Sequence, residues 1–310
     1  MRFLSRSTTP DLSRYLQKPA SVFLAKFLPF SIYRRYLSML GFWYYATNAD
    51  ERRDLSRSLR YVLGDELGLL KFQRTLFKTY RGIFDHYYEK MINAHTPLTG
   101  MVRYLKRQVS MAGGEWLDQL QAENRGCILV SGHYGAVEYI PLYLAARNYR
   151  TAIILRFKTQ RLKQALQRRA STVDLELIDA DSPQVVFTAL KAINEGRILI
   201  TLCDEIHTWR PSRKENATVF GRPTPKDRTL DVLYRRAKAP TCFGAIERRK
   251  GGYDLTIHPI SDGRTPISLF EAAWQILEEY IYRRPEQWYQ WPHFYSEITD
   301  YNAPVLCYEN

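Results

Sequence analysis

Arg125–Arg150 reads RGCILVSGHYGAVEYIPLYLAARNYR, and this stretch decides the fold. Gly126 to Ser131 is a short apolar run rich in Ile, Leu and Val, which predicts a buried strand. Ser131-Gly132 marks a turn. From Gly135 onward Val137, Ile140, Leu144 and Ala145 fall at helical spacing, so a helix is expected to follow. His133 then sits on the connection at the strand's carboxyl end, where open α/β sheets place their ligands.

The spacing from His133 to Glu138 carries the chemistry. On one continuous helix, positions five apart diverge by roughly 140° and their side chains do not meet. With His133 just outside the helix and Glu138 in its first turns, the carboxylate folds back onto the imidazole. That arrangement makes a general base held in one tautomer by an acid partner. Gly132 and Gly135 carry no side chains, so a substrate can approach the backbone of this turn closely. The plainer alternative is a half-buried histidine beside a solvated glutamate.

Outward from this stretch, further strands are expected at Thr151–Arg156, Asp174–Ile178, Arg197–Leu202 and Pro240–Ile246. Tyr253–Ile260 alternates and reads as an edge strand. Helical patterns lie between them. One opens at Ser182-Pro183 and ends at Gly196; others run from Lys226 to Lys238 and from Ile267 to Arg283. Strands alternating with helices predict an α/β fold, with a mostly parallel central sheet covered by helices on both faces. Before it come a polar lead-in at residues 1–18 and a helical region at 19–110. The α/β core is expected over 111–300 and a tail over 301–310, with 19–300 forming one compact unit. Within the helical region, Pro19 to Tyr45 repeats Phe, Tyr, Leu and Trp every three or four residues, interrupted by Lys26, Arg34 and Arg35. A basic, aromatic-faced helix of that kind suits a membrane surface, and equally a helical hairpin packed on the core. A charged connection at Asn48–Arg60 leads to a long helix from about Leu69 to Met91, whose Lys71, Arg74, Lys78 and Arg81 form a basic stripe.

Lys and Arg number 45 against 32 Asp and Glu, a net charge of +13 that favours an acidic partner. The aromatic residues fall on apolar faces rather than between the basic ones, so nucleic acid is not the expected partner. Cys127, Cys203, Cys242 and Cys307 lie far apart and read as reduced thiols of a cytoplasmic protein. No run is long enough to span a membrane, and the N-terminus lacks an export signal. Asp204 and Glu205 follow the strand Arg197–Leu202, where a pair of acids binds a metal, orients a hydroxyl or caps the loop. Only His207 stands near as a further ligand, so no metal and no cofactor is expected.

These residues resemble a known family. His-x4-Glu after a short apolar strand is similar to the glycerolipid acyltransferases, and with Glu it most resembles the lipid A lauroyl/myristoyl branch. Val219-Phe220-Gly221 resembles that family's Phe-Gly segment, Glu247–Gly252 its Arg-rich turn, and Pro285-Glu286-Gln287-Trp288 its closing segment. The likeness covers roughly residues 20 to 295. It departs at the charged loop Pro223–Arg228 and at Asp181-Ser182-Pro183. The resemblance implies an O-acyltransferase with His133 as general base and Glu138 orienting it. It also implies substrate contacts from Arg156, Asp204, Phe220 and Gly221 beside Ser131, Gly132 and Gly135, with Asp204 touching the acceptor head group. Backbone N–H groups of the glycine-containing turns are expected to meet the oxyanion. The implied donor is a thioester of acyl carrier protein or coenzyme A, with the charge favouring the acidic carrier. The implied acceptor is a membrane lipid, most simply a lipid A precursor, and the implied place is peripheral on the cytoplasmic face of the inner membrane. A catalytically silent basic protein that binds anionic membrane or an acidic partner is the competing reading.

Overall fold

The computed structural model describes residues 23–25, 27–64, 68–157 and 160–302; the expected lead-in at 1–18 and the chain beyond 302 lie outside them. The central stretch forms strand β2 (Cys127–Ser131), and all five of its residues are buried. A strand sheltered on both faces has no use for polar alternation, which is why it reads as a continuous apolar run. With β1 (Val109–Ala112), β3 (Thr151–Leu155), β4 (Leu175–Asp179), β5 (Ile198–Leu202), β8 (Thr241–Arg249) and β9 (Gly252–Ser261) it builds a seven-stranded sheet in the order β1-β9-β8-β2-β5-β3-β4. Strands β2, β3, β4, β5 and β8 are parallel; β9 pairs antiparallel with β8, and β1 runs parallel to β9.

The expected strands are all present, but Tyr253–Ile260 is not at the edge. The unforeseen β1 covers it, pairing Val109 with Tyr253. The alternation of β9 comes from burying every second residue from Tyr253 to Ile257. The Pro-containing loop after Phe220 is also more regular than expected: β6 (Pro211–Val219) and β7 (Arg222–Asp227) form a separate antiparallel hairpin.

Ahead of the sheet come α1 (Phe30–Thr47), α2 (Ala49–Leu63), α3 (Leu69–His95) and α4 (Leu98–Gln108), and between β1 and β2 lies α5 (Gly114–Ala122). The charged stretch read as a connection is α2. Its only apolar face is the narrow stripe Leu55, Leu59 and Val62, with Ser58 between them, all buried. Three apolar residues at helical spacing suffice when the partner helix supplies the rest of the contact. That partner is α11 (Trp291–Asn302), where Tyr295 N–H donates to Ser58 Oγ at 3.0 Å. After β2 come α6 (Ile140–Ala146), α7 (Gln160–Ala170), α8 (Val185–Asn194), α9 (Thr229–Ala237) and α10 (Leu269–Arg283). Ser268 caps α10 by accepting from Glu271 N–H, a Ser-x-x-Glu start. Cys127, Cys203 and Cys242 are free and buried. No helix among the described residues is long and apolar enough to cross a membrane.

Candidate active site

Register brings the site together. Ser131 at the end of β2 lies opposite Leu202 at the end of β5. His133 and Asp204 each stand two residues beyond, so adjacent strands deliver the imidazole and the carboxylate to one point at the sheet's carboxyl edge. Asp204 is fully buried and accepts three hydrogen bonds. His133 Nδ1–H donates to Oδ1 at 2.9 Å, while the His133 backbone N–H (2.7 Å) and Trp288 Nε1–H (2.8 Å) both donate to Oδ2. The ring therefore carries its hydrogen on Nδ1, which leaves Nε2 as the free base. Burial alone would pull the imidazole below its ordinary pKa. The Asp204 carboxylate and its hydrogen bond outweigh that pull, and the net shift is upward.

The expected His133–Glu138 contact is not what the structure shows. Gly135 adopts φ +60, and a Cβ there would meet the Ile246 carbonyl oxygen. The chain turns at this point, and Glu138 falls on a short 3₁₀ turn, Val137–Tyr139, before α6 begins. From that turn its carboxylate faces α3: Oε1 lies 3.3 Å from Lys90 Nζ and 3.8 Å from His86 Nε2. Its carbonyl accepts from Asn93 Nδ2 at 2.8 Å. Asp204 thus occupies the place the sequence reading gave Glu138, with both carboxylate oxygens engaged by His133 and Trp288.

The closing segment foreseen from Pro285 onward clamps this arrangement. Gly135 N–H donates to Gln287 O and Tyr289 N–H to His133 O, at 2.9 and 2.8 Å. The Gln287 side chain accepts from Arg248 N–H at 2.7 Å, and Gln290 Nε2 donates to Asp204 O at 3.1 Å. Arg248, on the Arg-rich hairpin, makes two hydrogen bonds to Glu89 (2.7 and 2.8 Å) and a third to Gly135 O at 2.7 Å. Burial pushes the Glu89 carboxyl upward against the pull of Arg248. Removing one partner of such a buried pair strands the other charge. Arg248→Met is accordingly expected to lower unfolding stability by about 3–5 kcal/mol. Denaturant melts measure this, and a loss below about 1 kcal/mol would show the pair to be idle.

The remaining sequence-based choices divide. Ser131 Oγ donates to Gly244 O at 2.7 Å within the sheet, so it belongs to the scaffold. At Gly132 a Cβ would strike Leu277, so tight packing, as at Gly135, accounts for the absent side chain. Phe220 is buried among Trp274, Trp288 and Phe294, and its N–H donates to Glu278 at 2.6 Å; Gly221 takes φ +70 beside it. Neither reaches His133. Arg156 is half-exposed and paired with Asp181 at 2.9 Å. The amides of residues 133–136 are all engaged: with Asp204, Gly132 O, Gln287 O and Ile246 O. These amides are therefore taken up by the fold and are not free to meet an oxyanion. Sequence reasoning missed His86, Lys90, Trp288 as the Asp204 partner, and Gln290. Among the described residues no cluster of His, Cys, Asp and Glu fits a metal ion.

Comparison with curated proteins returns no significant match. Residues 18–293 match the family described as bacterial lipid A biosynthesis acyltransferase, and with nearly the whole chain covered, this protein belongs to that family and is an acyltransferase.

Proposed function

We propose that the protein moves a fatty acyl chain from a thioester of acyl carrier protein or coenzyme A to a hydroxyl of a lipid A precursor. The observation that carries this reading is the His133–Asp204 pair, a buried carboxylate fixing the tautomer that frees Nε2 at a strand exit. In the proposed reaction the acceptor O–H gives its proton to His133 Nε2 as the oxygen attacks the thioester carbonyl carbon. The tetrahedral intermediate collapses with cleavage of the C–S bond. The departing thiolate takes the proton from His133, leaving an ester and a free thiol. No acyl-enzyme forms. Asp204 stabilises the imidazolium that exists between the two transfers.

Both substrates suit the surface. Lys71, Arg74, Lys78 and Arg81 are all exposed along α3, a stripe matched to an acidic carrier. On α1, Ile32, Met39, Phe42 and Trp43 point outward, the last two 62% and 65% exposed, and Phe23 and Phe27 ahead of it are exposed as well. We infer that this face rests on an anionic lipid monolayer, at the cytoplasmic side of the inner membrane. Burying a large aromatic side chain yields about 1.5–3 kcal/mol when complete. The double substitution Phe42→Ser with Trp43→Ser is therefore expected to weaken sedimentation with phosphatidylglycerol vesicles by at least about tenfold, with the melting temperature preserved. Unchanged vesicle binding would remove this face from the reading.

The deciding experiment for the reaction itself is a thioester-consumption assay with a panel of lipid hydroxyl acceptors, read by mass spectrometry. A gain of one acyl mass on a lipid A precursor is the expected result. Consumption with no lipid acylated would overturn it.

A further inference from the structure

The acyl-transfer scheme gives His86 no work, yet its surroundings are unusual. Its side chain is 1% exposed on α3, and neither ring nitrogen has a partner in hydrogen-bond geometry. Leaving buried polar atoms unpaired is costly, and a phenylalanine would fill the same space without that cost. One face of the ring stacks on Tyr289, with centroids 4.1 Å apart and an interplanar angle of 25°. Tyr289 is the residue whose N–H holds the His133 carbonyl. The His86 and His133 rings are themselves 6.4 Å apart.

On the other side stands the carboxylate five residues after His133. Glu138 Oε1 is 3.8 Å from His86 Nε2, just outside hydrogen-bond range, and its side chain is 30% exposed, which leaves it room to move. Its backbone is fixed by Asn93, so that movement is one of side-chain torsions alone. Burial keeps the His86 imidazole neutral, positive charge on Lys90, on Arg248 or on a protonated His133 acts in the same direction, and the Gly135 carbonyl, as an acceptor for the ring, opposes. A neutral ring has one N–H to donate; the acceptors near it are the Gly135 carbonyl and, 3.8 Å from Nε2, the Glu138 carboxylate.

We propose that His86 is a positioning residue of the active site, whose Nε2–H takes hold of the Glu138 carboxylate when substrate occupies the site. The carboxylate then lies against the ring stack, where its negative charge favours the imidazolium formed on His133 during transfer. Glu138 thereby acts on His133 through space and through His86, without a direct hydrogen bond. This inference rests on His133 being the base.

The test is a double-mutant cycle on the full chain, reading kcat and KM for thioester-dependent acylation. His86→Phe keeps the stack on Tyr289 but removes the N–H; it is expected to lower kcat about tenfold or more while leaving KM close to wild type. Glu138→Gln is expected to lower kcat as well, and the double variant to be no slower than the slower single one. Strictly multiplicative losses, or a His86→Phe enzyme at full kcat, would overturn the proposal. Should His86→Phe melt early, a second comparison carries the test. His86→Gln brings a side-chain amide to the position of Nε2 and is expected to retain activity. His86→Asn carries its amide on a shorter arm, near the position of Nδ1, and is expected to lose activity. Equal rates for these two variants overturn the proposal. His133→Ala, assayed alongside, separates the two failures: full activity there sinks the base reading, and a dead His133→Ala beside a normal His86→Phe sinks only this inference.

Discussion

Replacing His133 with alanine is expected to abolish acyl transfer, by at least about 10³-fold, in a protein that folds normally. The side chain is 16% exposed and lies at the carboxyl edge of the sheet instead of inside its core. Truncation removes the imidazole's contacts with Asp204, Gln290 and the Tyr289 ring, while the main-chain N–H and C=O of residue 133 keep their partners in Asp204 and Tyr289. Circular dichroism and melting curves should therefore match wild type. Without Nε2 the acceptor hydroxyl must lose its proton to water, and the departing thiolate has no acid to meet it. Single-turnover acylation read by mass spectrometry measures the effect. Full turnover by the folded variant would rule out the proposed chemistry.

Asp204→Asn is the subtler change, and it should cost about 10²–10⁴-fold. Two N–H donors, from the His133 backbone and Trp288, converge on Oδ2, so the asparagine oxygen must stay at that position. Its amide N–H then faces His133 Nδ1, which is obliged to accept. The ring hydrogen moves to Nε2 and the base is blocked, although every atom keeps its place. The pH profile carries a second signature. In wild type the raised imidazole pKa puts the acid limb of kcat/KM above the ordinary histidine value, since only the neutral ring is a base. With the carboxylate gone, burial is left to act and the limb should move down. The linkage follows the same sign: a folded-state pKa above the unfolded one adds stability at low pH, and that contribution fades as pH rises through the folded value. An Asp204→Asn enzyme with the wild-type limb and rate would show the carboxylate to be a bystander.

How much of this was legible in the sequence differs residue by residue. The strand Cys127–Ser131 and the place of His133 at its carboxyl end followed from local signals, an apolar run closed by Ser-Gly. So did the mostly parallel sheet, because strands and helices alternate. The partner of His133 did not follow, because it depends on which strand lies beside β2. Nothing local distinguishes β5 from β3 or β4 as a neighbour, and a slip of one residue between β2 and β5 would turn Asp204 away. Glu138 was the nearer acid along the chain and so the natural choice. The backbone reversal at Gly135, forced by the close approach of the Ile246 carbonyl, sends it toward Lys90 instead. Likewise Phe220 was expected to contact substrate by resemblance, and the structure places it in an aromatic cluster with Trp274, Trp288 and Phe294. Trp288 was visible only as part of a motif and Gln290 not at all; their targets on Asp204 lie more than eighty residues earlier.

The clamp from Gln287 to Gln290 has a temporal meaning during synthesis. The ribosome delivers His133 long before Trp288, and the two hold a common carboxylate. A growing chain can complete its central parallel strands, and with them the His133–Asp204 contact, while Asp204 still lacks its donors from Trp288 and Gln290. Under the proposed chemistry, the reactive pair reaches its full set of contacts only when the Gln287–Gln290 segment has emerged and docked.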